Sequence, residues 1–192
     1  MAIRKTIQIG DPRLHKLVKQ VKPLQLADLG DLVQDLADTM HDMGLTGLAA
    51  PQFGVDLAVF ITEIYPNKHR ATSITDDLRV YINPRILELS QQVTTIYEGC
   101  GSVVSADLFG PVIRAQIVTI EAEDLQGETF RLKADGLLGR VILHEYDHLQ
   151  GILFTQKVSD YSKLLNFENY QKYIRNTDLQ TQNMLVTIKE LN

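Results

Sequence analysis

The feature that leaves this chain least freedom is His144-Glu145-Tyr146-Asp147-His148, set in an apolar stretch that opens near Leu137. Residues four apart lie on one face of a helix, so both imidazoles can meet at one point. Glu145 stands roughly 100° further round, where its carboxylate can reach a water at that point without being a ligand. Leu137 and Val141 fall on the stripe of His144 and His148, and Leu138, Ile142 and Leu149 extend the apolar side past Glu145. A helix is therefore predicted over 135–149, stopped at Gly151, with this face turned inward. Two histidines and a glutamate buried without partners are costly. Backbone carbonyls could satisfy the rings, but a metal ion is the better account, because one ion serves both at once.

A catalytic ion normally takes three protein ligands and keeps one position open. His15, His41 and His69 lie in segments with no other ligand signal and read as surface or structural residues. Cys100 is the only cysteine, so no intramolecular disulfide can form. A lone cysteine is ordinarily a small buried hydrophobe. This one stands in Tyr97-Glu98-Gly99-Cys100-Gly101-Ser102, where flanking glycines let backbone approach a ligand closely. A thiolate with two imidazoles suits Fe(II), Zn(II), Ni(II) or Co(II) and disfavours Mg or Ca.

A chain of 192 residues that is 44% hydrophobic can fill one core. No apolar run nears the roughly 18 residues of a membrane span, and the start lacks the apolar core of a secretory signal. A cytoplasmic protein is expected. The net charge of −5 argues against a nucleic-acid partner. Apolar residues at helical spacing predict a helix over 23–43, ended by Gly44 to Gly47. Strands are expected over 55–62 and 80–83, with an exposed excursion over 64–77 between them. Segments 112–121 and 129–133 read as a hairpin turned by Asp124-Leu125-Gln126-Gly127. The polar stretch 160–192 reads as partly helical. Strands followed by helices point to an α+β fold.

Three segments together resemble the peptide deformylase family. His144-Glu145-Tyr146-Asp147-His148-Leu149-Gln150-Gly151 is similar to its HExDHLxG motif, Glu98-Gly99-Cys100-Gly101-Ser102 to EGCLS, and Gly47-Leu48-Ala49-Ala50-Pro51-Gln52 to the end of GxGLAAPQ. Order and spacing agree, and the likeness runs over residues 2–158 or so. The resemblance implies β-sheets surrounding a central helix that carries both histidines. It implies one divalent ion, usually Fe(II), held by Cys100, His144 and His148, with Glu145 as general base and acid. Gln52 and the Gly101 N–H would stabilise the oxyanion. Thr46, Gly47, Leu48, Ile96, Glu98 and Gly99 would line the substrate pocket. The implied activity is removal of the formyl group from N-formylmethionyl chains. The expected organisation is a catalytic domain over 1–160 and a partly helical extension over 161–192, which packs on that domain, meets the ribosome or meets another subunit.

The chain is a divergent member by this reading. The first motif glycine is Leu45, followed by Thr46; the EGCLS leucine is Gly101, which should open space beside the methionine pocket; the glutamine before the first histidine is Leu143. Segment 103–110 lacks the arginine that follows in the family, and Arg114 matches a later one, read here as a partner for Glu98. Two other readings compete. A peptidase using His-Glu-x-x-His is disfavoured by the cysteine ligand. A non-catalytic binder of N-terminal methionyl peptides is disfavoured because binding alone needs neither Glu145 nor Gln52.

Overall fold

A computed structural model describes residues 3–66 and 75–192. Helix α1 (Leu29–Met43) precedes strand β1 (Gly47–Ala49) and β2 (Val59–Ile64). Five strands follow in order: β3 (Asp76–Leu89), β4 (Val93–Gly99), β5 (Leu108–Ala115), β6 (Ile117–Glu123) and β7 (Thr129–Asp135). Helix α2 (Gly136–Leu149) carries the two histidines, and β8 (Leu165–Asn166), α3 (Phe167–Tyr173), α4 (Asp178–Asn183) and β9 (Lys189–Leu191) complete the chain. One antiparallel sheet runs β1-β2-β3-β6-β7-β9 and a second runs β4-β5-β8.

Alternation along the strands explains the layering. Val59 and Ile61 pack with Leu48, Val33, Leu36 and Met40 on the α1 side, whereas Phe60 and Ile64 pack with Leu138 and Ile142 on the α2 side. Both faces of β2 are thus covered, which is why it reads as a continuous apolar run. On its far side α2 meets the smaller sheet, where Arg140 donates to the carbonyls of Thr94 and Val112. The central helix with sheets around it is the predicted α+β arrangement. Among the described residues no helix is long and apolar enough to cross a membrane.

Several expectations need correction. Residues Pro23–Asp28 form a 3-10 helix, and the α-helix begins only at Leu29. The three-residue step from Leu26 to Leu29 suits either coil, so periodicity could not separate them. The helix does end at Met43, with Gly44 at φ 67° as its left-handed cap. Segment 112–121 is two strands: β5 stops at Ala115, and beyond Gln116 the chain enters the larger sheet as β6. Strand β3 is far longer than 80–83, because Asn83 at φ 50° absorbs an irregularity before Pro84 without ending it. The strand predicted over 55–62 is β2, which runs Val59–Ile64, and the shorter β1 before it is not among the predicted strands. The predicted excursion over 64–77 falls mostly outside the described residues, as does His69.

Candidate active site

Helix α2 is built to hold polar groups in an apolar interior. Its start is fixed by the C-terminal segment: the Leu137 N–H donates to the Met184 carbonyl at 3.0 Å, and the Asp135 carboxylate accepts from the N–H groups of Thr187 and Ile188 at 2.7 and 2.8 Å. Leu137 thereby fills one of the donors that a helix N-terminus leaves open. His144 and His148 follow on one face with Glu145 beside them, all three at most 9% exposed.

Cys100 comes to this face from the end of β4. One ligand atom from each of Cys100, His144 and His148 lies within 4.8 Å of the others, and Sγ stands 3.3 Å from His148 Nε2. Donors about 2.0–2.3 Å from a tetrahedral ion sit about 3.3–3.8 Å apart, which the Cys100–His148 pair matches. The Nδ1 of His144 is taken by Glu98 Oε2 at 2.9 Å, which turns Nε2 toward the shared point. Such a carboxylate behind a ligating histidine fixes ring and tautomer. Soft sulfur with two ring nitrogens fits a borderline divalent ion.

Glu98 is itself held in a buried charge network. Arg114 Nε and Nη2 donate to its two oxygens at 2.7 and 2.9 Å, and Arg140 Nη1 adds a bond to Oε1 at 2.9 Å. Arg114 Nη1 also reaches Asp147 Oδ2 at 2.5 Å, and Lys157 holds Asp147 Oδ1 at 2.8 Å. Burial alone would raise the Glu98 pKa, but the charge and hydrogen bonds of Arg114, with His144, hold it well below the carboxylate range. Burial, His144 and Arg114 together depress His148, so it presents a neutral ring. Burial pushes Glu145 up to about 7, partly offset by His144 and Arg114. A pKa near 7 suits a group that both takes and gives a proton. Its Oε2 meets no partner among the described residues.

Gln52 is 1% exposed. Its Oε1 accepts from the Ala49 N–H at 2.9 Å, which aims Nε2 at Ser102 Oγ (3.3 Å) and Cys100 Sγ (3.6 Å). The Gly101 carbonyl is pinned by Thr6 Oγ1 and Gln8 Nε2, at 2.8 and 2.9 Å. A cleft of about 650 Å³ opens over these groups, with Thr46, Gly47, Ile96, Glu98 and Gly99 on its wall. Leu48 is not there: strand alternation turns it to the α1 side, fully buried, while Gly47 faces α2. Glu98 borders the cleft but is engaged by Arg114, Arg140 and His144, so its part is to hold the histidine. Gly47 has its own reason: an added Cβ would come within 2.6 Å of Glu145 Oε1.

A family model described as polypeptide deformylase matches residues 3–164. The chain belongs to the peptide deformylase family. It is 42% identical over 174 residues to a peptide deformylase of Chloroflexus aggregans, covering 85% of this chain and 92% of the relative. A peptide deformylase of Erythrobacter litoralis is 32% identical over 191 residues, covering 90% and 97%. Among solved structures, the Met-Ala-Ser-bound class I type b peptide deformylase of Acinetobacter baumannii superposes with a TM-score of 0.77 at 31% identity, over 82% of this chain and 99% of that one. The peptide deformylase of Thermotoga maritima gives 0.73 at 27%, over 83% and 100%.

Against the deformylase motifs, two departures turn out to be one. A Cβ on Gly101 would meet Leu45 Cδ1 at 3.0 Å and Met43 Cε at 3.2 Å. Leu45, standing for a glycine, fills space next to Gly101, standing for a leucine. The room expected beside the pocket is therefore taken. Of the remaining histidines, His15 Nδ1 lies 3.2 Å from the Gly151 carbonyl and His41 pairs with Glu63, both away from the cleft. The parts played by Arg140, Asp147 and the C-terminal wall of the cleft are not read from the sequence. Arg140, a cation inside the apolar helix, and Asp147, inside the HExDHLxG stretch, each carry a usable signal.

Proposed function

We propose that this chain hydrolyses the formyl amide of N-formylmethionyl polypeptides, releasing formate, with Cys100, His144 and His148 holding one divalent ion. The convergence of those three ligand atoms beneath the cleft carries the reading. Fe(II) is the preferred ion, and Zn(II), Ni(II) and Co(II) suit the same donors. When bound, the ion supplies Lewis acidity toward water and the formyl oxygen. Glu145 takes a proton from the attacking water. As negative charge grows on the formyl oxygen, Gln52 Nε2 and the Gly101 N–H donate to it; one such donor is worth about 3–4 kcal/mol. Glu145 then delivers its proton to the departing α-amine of methionine as the carbon–nitrogen bond breaks. Met-Ala-Ser, bound in the Acinetobacter baumannii structure, is what a formyl-Met-Ala-Ser substrate would leave behind. A thiolate ligand and a ferrous ion are both favoured by a reducing compartment, which supports a cytoplasmic site of action on nascent chains.

Protein loaded with iron in the absence of oxygen should release formate from formyl-Met-Ala-Ser above a metal-stripped control. No release from any iron-, nickel- or cobalt-loaded sample, with the peptide still bound, would turn the reading toward a binding protein. Cys100→Ser should retain at least tenfold less metal after dialysis, because a hard hydroxyl replaces a soft thiolate. Metal content equal to wild type would remove Cys100 from the centre.

A further inference from the structure

The C-terminal segment forms one wall of the cleft, through Phe167, Tyr170, Met184 and Leu185. It is seated firmly: Tyr170 stacks on Phe109 at 4.2 Å, and the buried Gln180 side chain accepts from the Tyr97 N–H at 3.1 Å and donates to its carbonyl at 3.4 Å. Asn183 donates to the Thr95 carbonyl at 3.3 Å. These amides cover the edge of β4 turned away from β5. That edge is therefore closed to a peptide whose formyl end lies at Cys100, while the cleft wall extends to the turn between α3 and α4. Arg175 stands on that turn, half-buried and on the cleft wall. Arg140, another arginine of the wall, is engaged by Glu98 and two strand carbonyls. Of the acids that line the cleft, Glu98 is held by Arg114, Arg140 and His144, Glu145 lies beside the histidines, and Asp107 accepts from the Phe167 N–H at 3.1 Å. Among the described residues the Arg175 guanidinium makes no hydrogen bond or ion pair. An unengaged planar fork of donors on the cleft wall matches a carboxylate.

We propose that Arg175 is a specificity-determining residue that binds a carboxylate on the peptide beyond its formylmethionine. The inference rests on the deformylase reading. The carboxylate comes from an acidic side chain at the third position or from the free end of a short peptide.

The test compares formyl-Met-Ala-Glu amide with formyl-Met-Ala-Gln amide, and formyl-Met-Ala-Ser with its amide. Wild type should show a KM about tenfold lower for a carboxylate member of at least one pair, with kcat alike. The pair that responds identifies the source. Arg175→Gln should erase that difference and leave the neutral peptides unchanged; Arg175→Glu should favour formyl-Met-Ala-Lys amide instead. Equal KM values within both pairs for wild type, or an Arg175→Gln loss shared by neutral peptides, would overturn the proposal. Calorimetry with unformylated Met-Ala-Glu and Met-Ala-Gln amides makes the comparison without turnover. Selective binding without formate release would sink the deformylase reading and keep this one.

Discussion

Glu145→Gln should keep its metal and its melting temperature and lose formate release by about 10³-fold, within the range that general acid–base catalysis contributes. The replacement is chosen for shape. Glu145 is 4% exposed, and its Oε1 lies only 2.6 Å from where a Cβ on Gly47 would stand, so there is little slack for a larger side chain and a smaller one would leave a hole. An amide of equal size preserves the packing against Val141 and Gly47 but can neither take a proton from water nor deliver one to the amine. Formate release, metal content and thermal melting on the same preparation separate the possibilities. Activity within fivefold of wild type would take the proton transfers away from Glu145. Lost metal would instead show that the residue supports the centre.

The part of the site legible in the sequence is the part written in short-range spacing. His144 and His148 declare themselves by a step of four on an apolar helix, and the predicted helix was displaced by a single residue at its start. Cys100 was found through chemistry and its flanking glycines. The Glu98–Arg114 pair, inferred from the family pattern, is present at 2.7 Å. What stayed hidden depends on contacts between distant segments, which leave no period. Arg114 joins the end of β5 to Asp147 on α2, and nothing near either residue announces the other. The exchange of bulk between Leu45 and Gly101 reads as two separate defects in the sequence, whereas the fold sets them side by side. The C-terminal stretch reads only as polar and partly helical because the rest of its order comes from docking: Gln180 and Asn183 are tied to strand carbonyls, and β9 pairs with β7 at the sheet edge.

Arg114 should prove the most costly single residue to replace outside the ligands. It and Glu98 are each about 95% removed from solvent, and its three nitrogens serve two carboxylates and the Leu143 carbonyl. Arg114→Met fills much of the volume but leaves Glu98 with only Arg140 and His144, and Asp147 with Lys157. Breaking a buried pair in this way costs about 3–5 kcal/mol, because a charge is left without its counterpart. At about 2–4 °C per kcal/mol for a chain this size, melting should fall by on the order of 10 °C. A functional loss should accompany it. Glu98 orients His144 only while its own oxygens are fixed, and removing such outer support typically weakens metal binding about 10- to 100-fold. Arg114→Lys keeps the charge but not the planar fork, so it should recover part of the stability and less of the metal affinity. Arg85→Met, which removes a solvent-exposed partner of Glu121, is the control and should scarcely move the melting temperature. If Arg114→Met melted like that control and held metal as tightly as wild type, the network would be incidental to both fold and centre. If stability fell while metal affinity did not, Glu98 would be holding His144 without help from Arg114, and Arg140 would be the arginine that matters.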